Sequence, residues 1–233
     1  MKLKVCGMKY VNNIQEVVNL QPDYLGFIFY EKSKRNFEGI IPELPKSVKK
    51  TGVFVNEHSE IVISLVEEYQ LDALQLHGDE SVIYIKELQS QLAERNALFI
   101  EENKHQKKKK NKHDIAKDKI EIIKVFGIKD AFNFDVLEPY LEVVDYFLFD
   151  TKGKERGGNG VQFDWSVLDT YPYKVPFFLS GGIGLKETDS VLSFLDKEAA
   201  KYCYALDVNS KFEIESGKKD IAALKEFKQR LTV

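Results

Sequence analysis

Short apolar runs bounded by turn residues recur eight times along this 233-residue chain, and segments with helical spacing separate them. That alternation is the pattern of stacked βα units, because parallel strands need a crossover between them. Strands are expected at Leu3–Cys6, Tyr24–Phe29, Thr51–Val55, Ala73–Leu76, Ile120–Phe126, Tyr146–Phe149, Phe177–Leu179 and Cys203–Leu206. Helical segments fall at Val11–Leu20, Pro42–Val48, Glu57–Tyr69, Ser81–Glu94, Ala131–Tyr140, Asp164–Thr170, Glu187–Leu195 and Lys219–Leu231. Ile61, Leu65, Val66 and Tyr69 share one helical face, whereas Val53 and Val55 alternate as a strand requires. The second helical segment has room for little more than a turn or two, since Pro42 and Pro45 interrupt it.

Eight parallel strands joined by right-handed crossovers close into a barrel filled with side chains. The expected fold is therefore α/β, a single-domain (β/α)8 barrel over residues 1–233, and 43% hydrophobic residues suffice for one large core. Chemistry in such a barrel belongs to the loops that follow the strands. One stretch, at about 101–118, breaks the alternation with a polar, lysine-rich run from Glu101 to His113. It is read as a mobile surface insertion, too polar to order itself by burial. It lies after the fourth helix and before the fifth strand, hence on the face opposite the chemistry.

A net charge of −3 argues against a general nucleic-acid binder, and the lysine run lacks interleaved aromatics for stacking on bases. No apolar run approaches a membrane span, and Met1 leads directly into a strand pattern rather than a signal peptide. Two cysteines, Cys6 and Cys203, make neither a disulfide framework nor a metal-ligand spacing. The expectation is a cytoplasmic protein with no membrane association, no nucleic-acid partner, no metal and no obligatory protein partner.

Two reactive groups stand at strand ends. Cys6 follows the first strand and opens the loop Gly7-Met8-Lys9, and Asp150 closes the sixth strand. A lone cysteine is more often a small buried hydrophobe, and a lone aspartate can cap a loop. Together at one barrel mouth they form a candidate base and a candidate proton-transfer partner. Arg35, in the loop after the second strand, carries a planar fork suited to a carboxylate or phosphate. His77, after the fourth strand, either stabilises its turn or contacts substrate. Gly157 and Gly158 follow the sixth strand, Gly181 and Gly182 the seventh, and Asn209 and Ser210 the eighth. Any one glycine cluster also serves a tight turn, but their coincidence at these strand numbers points to a phosphorylated small-molecule substrate. Cys203, inside a strand, reads as core.

Taken in order, Lys4-Val5-Cys6-Gly7-Met8-Lys9, Leu25-Gly26-Phe27-Ile28-Phe29 with Ser33-Lys34-Arg35, Gln75-Leu76-His77-Gly78, Phe149-Asp150-Thr151, Gly157-Gly158-Asn159-Gly160, Ser180-Gly181-Gly182, Asp207-Val208-Asn209-Ser210 and Gly217-Lys218-Lys219-Asp220 carry a resemblance. From Lys4 almost to its end the chain resembles the phosphoribosylanthranilate isomerases of tryptophan biosynthesis. The resemblance implies an aldose–ketose isomerase that performs an Amadori rearrangement without cofactor or metal. It assigns Asp150 as general acid, Cys6 as general base, Arg35 to the anthranilate carboxylate, and the seventh and eighth loops to phosphate. Lys34, Asn159 and Ser216 depart from the family's usual residues, none of them a proton-transfer group. The related isomerase of histidine synthesis relies on two aspartates, which Cys6 argues against. A retired barrel that only senses a phospho-ligand would have no need to keep Cys6, Asp150 and Arg35.

Overall fold

The computed structural model describes residues 1–105, 119–129, 131–151 and 163–231. Eight strands, all parallel, form a closed barrel in sequence order: β1 Lys2–Val5, β2 Tyr24–Ile28, β3 Lys49–Phe54, β4 Ala73–Leu76, β5 Glu121–Ile128, β6 Tyr146–Thr151, β7 Phe177–Leu179 and β8 Cys203–Val208. β8 returns to β1 with Lys4 opposite Asp207 and Val5 opposite Val208, which closes the ring. Outside the wall lie α1 Val11–Val18, α2 Ser59–Tyr69, α3 Val82–His105, α4 Thr188–Leu195 and α5 Ile221–Arg230. Among the described residues no helix is long and apolar enough to cross a membrane.

The expected barrel is thus present, but several connections differ from their expected form. Pro42–Val48 is not a helix: residues 41–45 are irregular and 46–48 form a turn and bend, as two prolines in four positions remove helix donors. The fifth and sixth crossovers are 3-10 turns, Phe134–Tyr140 with Pro139 inside it and Trp165–Thr170. Another, Glu198–Tyr202, precedes β8. α3 continues to His105, so the first residues of the polar run extend a helix. The rest of the insertion, 106–118, lies outside the described residues. After β8 the chain forms a small antiparallel hairpin, β9 Glu213–Glu215 and β10 Lys218–Lys219, with Gly217 at φ +87° in its turn. Lys219 is therefore a strand residue; α5 starts two positions later, where Asp220 caps it by accepting from the Ala223 N–H at 3.0 Å.

Two apolar clusters reveal the strand phase. One joins Tyr24, Ala73, Ile123, Val125, Leu148, Phe178 and Ala205, drawn from six strands and no helix, and it fills the barrel interior. The other combines Leu3, Val5, Leu74, Leu76, Phe147 and Phe149 with helix residues such as Ile14, Val62, Leu88 and Phe227. Because alternate residues face opposite sides of a strand, Lys4, Gly26, Gln75, Leu148 and Asp207 share the inward phase.

At the N-terminal end of the strands the buried Tyr24 hydroxyl donates to Glu121 at 3.0 Å and meets Lys49 Nζ and the Tyr204 hydroxyl at 3.4 Å. Lys49 also pairs with Glu121 at 2.5 Å. This end serves stability rather than chemistry. Tyr24→Phe is expected to lower unfolding free energy by about 1 kcal/mol, read from the denaturant midpoint, with turnover unchanged within about twofold.

Candidate active site

The inward phase of the strands delivers the reactive side chains to one mouth, from one residue past the end of β1 and β4 and from the next-to-last residue of β6. Cys6 continues the series of Lys2 and Lys4, His77 that of Ala73 and Gln75, and Asp150 that of Tyr146 and Leu148. The Cys6 N–H donates to Val208 O at 2.9 Å, an extension of the β1–β8 ladder. Its thiol has room because β2 carries Gly26: a Cβ there would lie 2.6 Å from Cys6 Sγ. Gly7 then turns the chain at φ +73°, and a Cβ on it would come within 2.8 Å of Arg35 Cδ and 2.7 Å of Asn209 Oδ1. Arg35 and Asn209 therefore lie directly over the residue that follows the thiol.

Across the mouth, Asp150 is 8% exposed. Its Oδ1 accepts from the Thr151 N–H at 2.8 Å, and its Oδ2 lies 3.5 Å from His77 Nε2. Gly181, at φ +90°, sits against this turn: a Cβ would meet Thr151 Oγ1 at 2.3 Å and Asp150 Oδ1 at 3.2 Å. Gly182 is also left-handed, at φ +68°. Asn209 and Ser210 open the 3-10 turn Ser210–Phe212. Gly157 and Gly158 lie outside the described residues.

Below the thiol, Lys4 Nζ pairs with Asp207 Oδ1 at 2.8 Å, with both side chains inside the barrel. Burial works most strongly against the ammonium, but Asp207 and Cys6 together hold the Lys4 pKa above its usual value. Beside the thiol stands a second cluster. Arg35 donates from Nε to Glu213 Oε1 at 2.8 Å and from its terminal nitrogen to Oε2 at 2.6 Å. Lys219 Nζ donates to the same Glu213 Oε1 at 2.8 Å and to Asn209 Oδ1 at 2.7 Å. Burial opposes ionisation of Glu213, yet Arg35 and Lys219 keep its carboxyl below the usual range. Burial pushes Lys219 down to about 8 despite Glu213. The Cys6 thiol is raised, chiefly by burial, while Lys4 and Lys219 pull it back.

Cys6, His77, Asp150, Gly181, Gly182 and Asn209 thus come together at the C-terminal ends of the strands, and Arg35 reaches the same mouth held by Glu213. Lys4, Asp207, Glu213 and Lys219 build the site without having been singled out from sequence. A lysine or aspartate in the inward phase of an otherwise apolar strand was the available signal for the first two. Among the described residues no group of three or more His, Cys, Asp or Glu side chains is placed to hold a metal ion. A cation-rich pocket with a thiol on one wall and a carboxyl on the other can exchange protons with an anionic substrate at two points.

Known proteins give this arrangement a family. The profile for N-(5'phosphoribosyl)anthranilate (PRA) isomerase matches residues 3–116 and 103–230. The N-(5'-phosphoribosyl)anthranilate isomerase of Parabacteroides distasonis is 38% identical, over 99% of this chain and 93% of its own. That of Phocaeicola vulgatus is 32% identical, over 99% and 98%. Among solved structures, the phosphoribosyl anthranilate isomerase of Thermotoga maritima superposes with a TM-score of 0.71 at 30% identity, covering 100% of this chain and 98% of that one. A phosphoribosyl anthranilate isomerase in complex with reduced 1-(o-carboxyphenylamino)-1-deoxyribulose 5-phosphate gives 0.69 at 28%, covering 100% of both chains. The chain belongs to the N-(5'-phosphoribosyl)anthranilate isomerase family.

Proposed function

We infer that this chain carries out the reaction for which its family is named, with Asp150 as general acid and Cys6 as general base. The substrate is N-(5'-phosphoribosyl)anthranilate and the product 1-(2-carboxyphenylamino)-1-deoxyribulose 5-phosphate. The observation that carries this reading is the facing of the two groups across one mouth, each on the inward phase of its strand.

Asp150 gives its proton to the ribose ring oxygen as the bond from that oxygen to C1 breaks. The lone pair of the anthranilate nitrogen completes an iminium at C1. The Cys6 thiolate then removes the proton from C2, the C2–H electrons form the enamine, and the enol product relaxes to the ketose. At this point Asp150 is a carboxylate and Cys6 a thiol, so one proton returns between them through solvent before the next turnover. Arg35 binds the anthranilate carboxylate, its fork oriented by Glu213. Gly181, Gly182, Asn209 and Ser210 supply backbone N–H groups to the phosphate, whose close approach requires glycine. Gly157 and Gly158 belong to the same phosphate cradle in this reading, and the chain works as one domain with its lysine-rich insertion apart from the chemistry.

Loss of substrate fluorescence on addition of the protein tests the reaction. Cys6→Ala and Asp150→Asn are each expected to lower kcat by about 10²-fold or more, with product affinity changed little. Turnover near wild type in either variant would remove that residue from its role. The thiol adds a pH signature. Since burial raises it and Lys4 and Lys219 lower it less, the ultraviolet thiolate absorbance of the free enzyme, taken as the difference from Cys6→Ala, is expected to rise only above neutrality. Loss of the Lys219 charge near 8 broadens that rise at its upper end. A full thiolate signal already at about pH 6 would overturn this assignment of the thiol's environment.

A further inference from the structure

Glu80 and Lys124 are buried and charged, yet neither has a part in the reaction described above. Their side chains are 2% and 3% exposed and pair at 3.0 Å. Lys124 is out of phase with Ile123 and Val125, so the pair lies on the outer side of the wall, at the seam between β4 and β5. Removing two charges from water is costly, and apolar packing of the same volume often stabilises as well or better. The distinctive feature of this pair is where its other hydrogen bonds go.

Both members hold the residue that follows His77. The Gly78 N–H donates to Glu80 Oε1 at 3.0 Å and to Oε2 at 2.9 Å, and Lys124 Nζ donates to Gly78 O at 2.8 Å. Glu80 Oε1 also accepts from the Asn56 N–H at 2.8 Å, which ties the loop after β3 to the same point. Residue 78 has no space for a side chain, as a Cβ would lie 2.2 Å from Asn56 Oδ1 and 2.5 Å from Glu80 Oε1. On the other side of His77, its own N–H donates to Phe54 O at 2.8 Å. The backbone of His77 is therefore fixed before and after its Cα, and its imidazole reaches across the mouth to Asp150 Oδ2 at 3.5 Å.

We propose that the Glu80–Lys124 pair is a positioning device for the acid, fixing the loop after β4 so that His77 orients the Asp150 carboxyl. Oδ1 is committed to the Thr151 N–H, so His77 faces the oxygen that carries the transferable proton. Glu80 and Lys124 act through His77, and His77 acts through Asp150; the inference rests on Asp150 being the acid.

A thermodynamic cycle on kcat tests this. Glu80→Gln alone would take the carboxylate from the buried Lys124 ammonium and endanger folding, so the double variant Glu80→Gln/Lys124→Met, which removes both charges, is used. Its kcat is expected to fall about tenfold or more, since small displacements of a reacting group are costly, with product affinity within about threefold of wild type. His77→Ala is expected to fall similarly. Combined, the three substitutions should be no worse than His77→Ala within about twofold, because residues acting through one group are not additive. Lys124→Arg, which retains the buried charge, runs through the same cycle if the neutral pair does not fold. Wild-type kcat in a folded variant of the pair, or losses that multiply in the His77→Ala background, would overturn the proposal. Asp150→Asn is assayed alongside: full turnover there would remove the acid itself, whereas an inactive Asp150→Asn with multiplying losses would remove only the positioning role.

Discussion

A strand in a closed barrel has one face toward the axis and one toward the helices, and in β1 that division governs what stands above it. Leu3 and Val5 belong to the outer cluster, so Lys4 must enter the interior and Cys6 must arrive over it at the mouth. Closure with β8 then sets Asp207 opposite Lys4 in the ladder, in the same inward phase. A slip of one residue in β1 would turn the thiol into the helix layer and leave a lysine among apolar side chains, and a slip in β8 would do the same to Asp207. The Lys4–Asp207 pair penalises such a slip, since either partner alone would be a buried uncompensated charge.

Charge is distributed around the thiol in a particular way. Lys4 is matched by Asp207, one to one, while Arg35 and Lys219 share the single carboxylate of Glu213. With Lys219 protonated, the two cations outnumber the Glu213 carboxylate by one. Holding two cations on one carboxylate is sustainable here because Asn209 Oδ1 and the Gly217 N–H complete the hydrogen bonding. The same hairpin that carries Glu213 and Lys219 thus joins Arg35 to the loop after β8.

The strands were legible in the sequence because runs such as Tyr146 to Phe149 are apolar, rich in β-formers and bounded by turns, and their ends shifted by only one or two residues. Helical connections were less so. Six or seven residues such as Trp165–Thr170 cannot distinguish a 3-10 turn from an α-helix by spacing, and Pro42 with Pro45 left no helix at all. Lys219 was placed at the head of the last helix because strands of three and two residues are below what periodicity registers. Cys6, His77 and Asp150 could be found because a strand end announces the mouth. Their supporting groups could not: Arg35 and Glu213 are 178 positions apart, and nothing local to Lys124 says that it grips Gly78 O.

The ring closes between its first strand and its last, and the Lys4–Asp207 hydrogen bond spans 203 positions of chain. During synthesis, β1 emerges early and remains without its second neighbour until β8 has left the ribosome. Contacts of such long separation are slow to form, because the loop they close must first be ordered. Until then Cys6 has neither the ladder bond from its N–H to Val208 O nor the cation cluster brought by the β9–β10 hairpin. A nascent barrel holding the first seven strands has the Cys6 side chain but not its environment, so the general base of the proposed reaction is assembled only when the molecule is essentially whole.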